Sequence, residues 1–145
     1  MRTSRAAIAL AAGLTAPGLC AAPAHAETYA QLDPMPVDAS PACEGTVRAE
    51  TQVVPLQTGD RVEDGIRVVI NYDAGVYDGS CSLTATAHWE NLDTGAEGSG
   101  DITAVSTIDG HYGFIGYANT TFATGDGPVV VTLNTHPGQE MRVTV

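Results

Sequence analysis

The sequence predicts an all-β domain, a two-sheet antiparallel sandwich of about seven strands, and three observations carry that reading. Apolar and polar residues alternate with a period of two along several short runs. Asp-Gly, Pro-Gly and glycine-rich clusters separate those runs at intervals too short to hold helices. A single tryptophan falls on the apolar side of the cleanest alternating run. The competing architecture is a small closed β-barrel.

The chain opens on what reads as a secretory signal peptide, residues 1–26. Arg2 and Arg5 form a short positive region, an apolar stretch runs from Ala6 to Ala22, and Ala24-His25-Ala26 has the small-x-small pattern of a cleavage site. Leu19 precedes Cys20 where a lipoprotein signal needs a small residue, and Arg2 and Arg5 are not the adjacent pair of a twin-arginine signal. Pro17-Gly18 interrupts an apolar run already too short to span a bilayer. The expectation is cleavage after Ala26, secretion, and no membrane insertion of what remains.

Glu27–Ala42 carries Pro34, Pro36 and Pro41 and reads as an extended N-terminal tail. Residues 43–145 read as one domain. In Thr46–Val54, Val47, Ala49, Thr51 and Val53 share the core side, and Arg48, Glu50 and Gln52 the wet side. Pro55 is expected to stop that strand, and Asp64-Gly65 to turn the chain. Ile66–Tyr72 follows, with Ile66, Val68 and Ile70 on one face and Val69 on the other.

Asp73–Ser80 reads as a loop. The next strand, Cys81–Asn91, sets Cys81, Leu83, Ala85, Ala87 and Trp89 against Ser82, Thr84, Thr86, His88 and Glu90. Leu92–Gly95 is its hairpin loop, with Gly95 free to take a positive φ. Gly98-Ser99-Gly100 leads into a strand over Asp101–Thr107, and Asp109-Gly110 signals a hairpin into His111–Asn119. After a Gly125–Pro128 loop come Val129–Asn134, a Pro137-Gly138 turn of type II, and a last strand through Met141, Val143 and Val145. Strand number, turn spacing and the buried Trp89 give a layout that resembles the immunoglobulin-like sandwich.

Cys20 leaves with the signal, so Cys43 and Cys81 are expected to pair. That bond would tie the segment ahead of the first long strand to the start of the tryptophan strand, unlike the immunoglobulin bond across the sheets. No Cys-x-x-Cys is present, so its role reads as structural.

Six arginines, no lysine and 17 acidic residues give a formal charge of −11, and loss of Arg2 and Arg5 takes the mature chain to −13. Such a surface repels phosphate backbones and anionic lipid, so nucleic acid and membrane surfaces are excluded as partners.

Catalytic signatures are missing. Ser99 lacks the outer glycines of a nucleophile elbow, and His88, His111 and His136 read as exposed turn and edge residues. Carboxylates are numerous without a spacing that marks a cleft. The expectation is no enzyme and no cofactor. Calcium is the metal the sequence favours, through Asp73, Asp78 and Asp126 in loops, without EF-hand spacing, whereas zinc or copper would need His and thiolate ligands to converge, which the spacing does not suggest.

The functional lead is a surface. His111–Tyr117 places bulky groups at both parities, and Val129-Val130-Val131 does the same. A sheet with two apolar faces needs a cover. Ile115, Tyr117 and Val130 are therefore the candidate partner-binding residues, for an extracellular protein or a cell-wall component. The alternatives are a structural exoprotein whose tail (Tyr29, Leu32, Met35, Val37) covers that face, a calcium-dependent module, and a protease-inhibitor-like domain presenting Asp73–Ser80. Asn119-Thr120-Thr121 is a glycosylation sequon that acts only in a host with that machinery.

Overall fold

The computed structural model describes residues 26–109, 113–114 and 116–145. The signal-peptide reading, apart from Ala26, lies outside the described residues, as do Gly110, His111, Tyr112 and Ile115. The fold is a β-sandwich of two antiparallel sheets that do not close into a barrel. The closed-barrel alternative is thereby set aside.

The first sheet is built on a long hairpin, β3 (Glu44–Thr58) and β4 (Arg61–Asp73). β8 (Tyr117–Phe122) pairs with the free side of β4. β1 (Tyr29–Gln31) and β2 (Met35–Asp38) both pair with the far side of β3. The second sheet has β5 (Asp78–Asn91) and β6 (Glu97–Asp109) as its hairpin, with the two-residue β7 (Gly113–Phe114) beside β6. β9 (Pro128–Leu133) pairs with β5, and β10 (Met141–Thr144) with β9.

The core lies between the sheets and follows the period-two pattern. Val47, Ala49 and Thr51 of β3 face Leu83, Ala85, Ala87 and Trp89 of β5 from opposite sides of one buried layer, joined by Ile66, Val68, Ile70 and Tyr72 of β4. Cys43 and Cys81 form a disulfide with a Cα–Cα distance of 5.4 Å. Next to it, the buried Tyr72 hydroxyl donates to the Cys43 carbonyl at 2.6 Å. Burial raises that phenol's pKa above its ordinary value.

Several boundaries differ from the sequence reading: Asp78–Ser80 belongs to β5 and Glu97–Gly100 to β6, and in place of one strand over 111–119 the described residues form β7 and β8, which pair in different sheets. Pro55 does not end its strand: β3 runs on to Thr58, with Pro55 opposite Asp64. The reason is orientation. Val53 N–H points away from β4, to the Thr28 carbonyl, so the nitrogen two residues on points the same way, where no strand lies alongside. The turn is accordingly at Gly59-Asp60, with Gly59 at φ 64°, and Asp64-Gly65 lies inside β4. Gly65 is needed there because a Cβ would collide with the Phe122 carbonyl and the Leu56 side chain.

Candidate functional site

Tyr117 is the sequence candidate that the fold places on an open face. In β8 the even positions Ala118 and Phe122 pack on the core, so Tyr117, Asn119 and Thr121 point outward from the first sheet. Antiparallel register extends that outward face across the sheet, since directly paired residues share a face. Tyr117 stands opposite Asn71, which stands opposite Arg48. The next row is Asn119, Val69, Glu50 and Gln31, and the third is Thr121, Arg67, Gln52 and Tyr29. Strands sit about 4.8 Å apart and rows about 6.7 Å apart, so the array covers roughly 14 by 13 Å.

The side chains of this array are arranged relative to one another. Tyr29 donates its hydroxyl proton to Glu50 Oε2 at 2.8 Å, with Gln31 Oε1 at 3.1 Å. The Glu50 carboxylate raises the Tyr29 pKa through that bond. At the opposite corner, Asn119 Nδ2 donates to the Tyr117 hydroxyl at 3.2 Å. Both phenols are thus held along the sheet. Tyr117 is 49 % exposed and Tyr29 48 %, whereas Val69 at the centre is 1 % exposed.

Two recesses adjoin on this face and share Arg48 and Asn71 in their linings. One, of about 270 Å³, continues to Gln31, Asp33, Pro34 and Glu50; the other, of about 330 Å³, continues to Thr46 and Asp73. Among the described residues the ion pairs are His88–Glu97 and Arg142–Glu140, so neither Arg48 nor Arg67 has a carboxylate within 4.0 Å. Arg67 Nε is buried without a hydrogen-bond partner. Chemically the face offers donors from arginine, acceptors from carboxylates, and amides that do both.

The other candidates are not brought to it. Ile115 lies outside the described residues. Val130 is half-buried on the outward side of β9, in the other sheet, beside Leu92, Pro128 and Arg142. Tyr117 and Val130 therefore occupy opposite outer faces and form no common surface. The N-terminal segment does not cover Tyr117: β1 and β2 pair with β3, two strands away from β8, with Leu32 buried in the core.

The calcium candidates are also spread out. Asp73 Oδ1 accepts from Gly75 N–H at 2.9 Å and from the Tyr77 hydroxyl at 3.1 Å. Asp78 Oδ1 accepts from Ser80 N–H and Oγ at 2.9 and 2.5 Å, which holds its carboxyl below the usual range. Asp126 lines a recess with Glu63 and Asp64, nine residues of strand from Asp73 and so about 30 Å away. Among the described residues no three His, Cys, Asp or Glu side chains gather to hold a metal ion.

The histidines divide. His88 is exposed on β5, 3.8 Å from Glu97, and His111 lies outside the described residues. His136 is the correction: it is fully buried, not an exposed turn residue. The Pro137-Gly138 turn folds it inward, where its Nδ1 meets Thr135 Oγ1 at 2.9 Å. Sequence reasoning also misses the Arg48–Asn71 pairing, because register between strands cannot be read from either strand alone.

No protein-family model, curated protein or solved structure matches the chain.

Proposed function

We propose that the protein is a secreted, non-enzymatic binding module that takes an extracellular protein or cell-wall component on the outer face of its first sheet. The observation that carries this is the exposed Tyr117 ring set in register with the Asn71–Arg48 recess. Export follows from the signal-like residues 1–26 and agrees with a disulfide at Cys43–Cys81.

An immunoglobulin-like identity for the sandwich is supported by strand order. Without the short β1, β2 and β7, the sheets run β3-β4-β8 and β10-β9-β5-β6, the order of strands A-B-E and G-F-C-C′, with Trp89 on the strand in position C. The disulfide departs from that pattern, since it joins the segment before A to C instead of B to F.

The test is association with the producing cell's wall and secreted fractions, comparing wild type, Tyr117→Arg and Val62→Arg. Val62 is 71 % exposed on the distal hairpin and serves as the control. Binding lost only in Tyr117→Arg, with both variants melting as wild type does, supports the module. Equal binding by all three rejects this face.

A second reading, a protease-inhibitor-like domain, is favoured by how the 74–77 loop is held. The buried Ser106 Oγ accepts from Ala74 N–H at 3.3 Å and donates to the Val76 carbonyl at 2.7 Å. Val76 and Tyr77 are left exposed on a braced backbone next to the disulfide. Failure to inhibit a panel of secreted endoproteases removes that reading.

A further inference from the structure

We infer that the ligand of the first sheet's outer face is a neutral polysaccharide, seated across Arg48 and Asn71 between Tyr117 and Tyr29; this rests on the binding-module reading above. Three properties of the face select that class.

The first is the absence of an apolar centre. A protein partner is anchored by desolvated apolar and aromatic groups in the middle of a patch, with polar groups at the rim. Here the order is inverted. The centre is Glu50, Asn71, Arg48 and a Val69 that is 1 % exposed, and the tyrosines stand at opposite corners.

The second is the hydrogen-bonding character. A sugar hydroxyl both donates and accepts, so a site for it needs both kinds of group within one reach. Arg48 supplies donors only, Glu50 and Asp73 acceptors only, and Asn71, Gln31 and Thr46 both, all along the two adjoining recesses. The tyrosines complete the set: each ring is tethered through its hydroxyl to a neighbour on the sheet, which leaves an aromatic face for the apolar side of a sugar ring.

The third is charge. The mature chain carries −13 and repels polyanions, so the arginines of this face cannot draw in an acidic polymer against the rest of the surface. Glu50 and Asp73 also offset Arg48 and Arg67 locally. An uncharged polymer meets neither penalty.

The experiment is affinity electrophoresis of the purified protein through gels containing dextran, mannan, xylan, mixed-linkage glucan or polygalacturonate, followed by a neutral-glycan array. Tyr117→Ala and Arg48→Ala are run alongside, both at exposed positions and both checked by near-ultraviolet circular dichroism for retained fold. The expected result is retardation or array binding by at least one neutral glycan, weakened tenfold or more in each variant. Binding only to polygalacturonate, neutral binding untouched by either variant, or no binding across gels and array each overturns the inference. If glycan binding is absent while Tyr117→Arg still abolishes association with a secreted protein, the ligand class is wrong and the binding module stands. If that association is also unaffected, the module itself is rejected.

Discussion

The indole of Trp89 lies across Gly98, its direct partner on the neighbouring strand, so closely that a Cβ on Gly98 would come within 2.8 Å of Nε1. Two residues on, Gly100 accommodates Phe122 in the same way: a Cβ there would stand 3.0 Å from the ring. The two rings meet at a centroid distance of 6.3 Å and an interplanar angle of 46°, joining β5 of one sheet to β8 of the other. Glycines that look like a loop in sequence are thus the floor beneath the aromatic contact that joins the sheets on that side.

Gly98→Ala is expected to displace the indole and destabilise the fold by about 1–3 kcal/mol, the usual cost of overpacking. Unfolding in urea and the tryptophan emission maximum together check this. A red-shifted native emission with a lower midpoint is the expected pair of results; an unchanged midpoint would show that the strands can part without loss.

Removal of the disulfide should cost more. Cys43 and Cys81 are 38 residues apart, and the chain-entropy argument for a loop of that size gives about 4 kcal/mol. A Cys43→Ala, Cys81→Ala double variant is expected to melt roughly 10–20 °C below wild type. Because β3 and β5 are also held through β4 and the core, the fold itself should persist, read as unchanged far-ultraviolet circular dichroism at 10 °C.

Much of this architecture is legible in the sequence where one face of a strand is wet. The alternation over 81–91 fixes burial of every odd residue, and the structure follows it residue by residue. It fails where local signals compete with long-range pairing. Pro55 and Asp64-Gly65 look like breakers, yet they lie in the two arms of one long hairpin, because the proline nitrogen faces away from its partner and the glycine admits Leu56. The site is less legible still. Tyr117 can be singled out by its parity, but Arg48 and Asn71 join it only through the register of the β3–β4 hairpin with β8, a strand far along the chain from it. His136 is missed for a related reason: a turn residue beside proline looks solvated unless the segment that buries it is known.

Asn91 illustrates a further device hidden from composition. Its side chain is fully buried at the end of β5, and Nδ2 donates to the carbonyls of Thr124 and Asp126, each at 3.0 Å. Its Oδ1 accepts from Asp93 and Thr94 N–H at 3.0 and 3.2 Å. One amide therefore fixes both the β5–β6 turn and the loop before β9.

Asn91→Ala should cost about 2–4 kcal/mol, since several buried backbone groups lose their partner at once. Asn91→Asp is expected to be worse above the carboxyl's pKa, because an anion would replace the amide donor that faces carbonyl oxygens. Its deficit relative to wild type should shrink as the pH is lowered. Urea unfolding of both variants at pH 7 and pH 4.5 separates these outcomes; a deficit for Asn91→Asp that stays constant with pH would count against a carboxylate buried at this site.

His136 sets the last expectation, on pH. The ring is fully buried in the β9–β10 turn, which also holds the β1–β2 linker through a bond from Asp33 N–H to Gln139 Oε1 at 3.1 Å. Burial pushes the imidazole pKa below its ordinary 6.5, opposed in part by the carbonyls of Val47 and Asp33. No acidic side chain is buried among the described residues to compensate a charged ring, and the nearby Glu140 is exposed and paired with Arg142. With the folded pKa below the unfolded one, the unfolded chain binds the proton first, so stability is complete above about pH 6.5 and is lost as pH falls through the folded value. His136→Asn keeps an amide near Thr135 and does not titrate. The difference in unfolding free energy between wild type and this variant, measured from pH 7.5 to 4.5, should be flat above 6.5 and decline below it. Hydrogen exchange should show residues 29–38 losing protection over the same range in wild type, because protonation strikes the turn that holds their linker. A difference that stays level down to pH 4.5 would mean the ring is protonated in the folded protein as readily as in the unfolded chain.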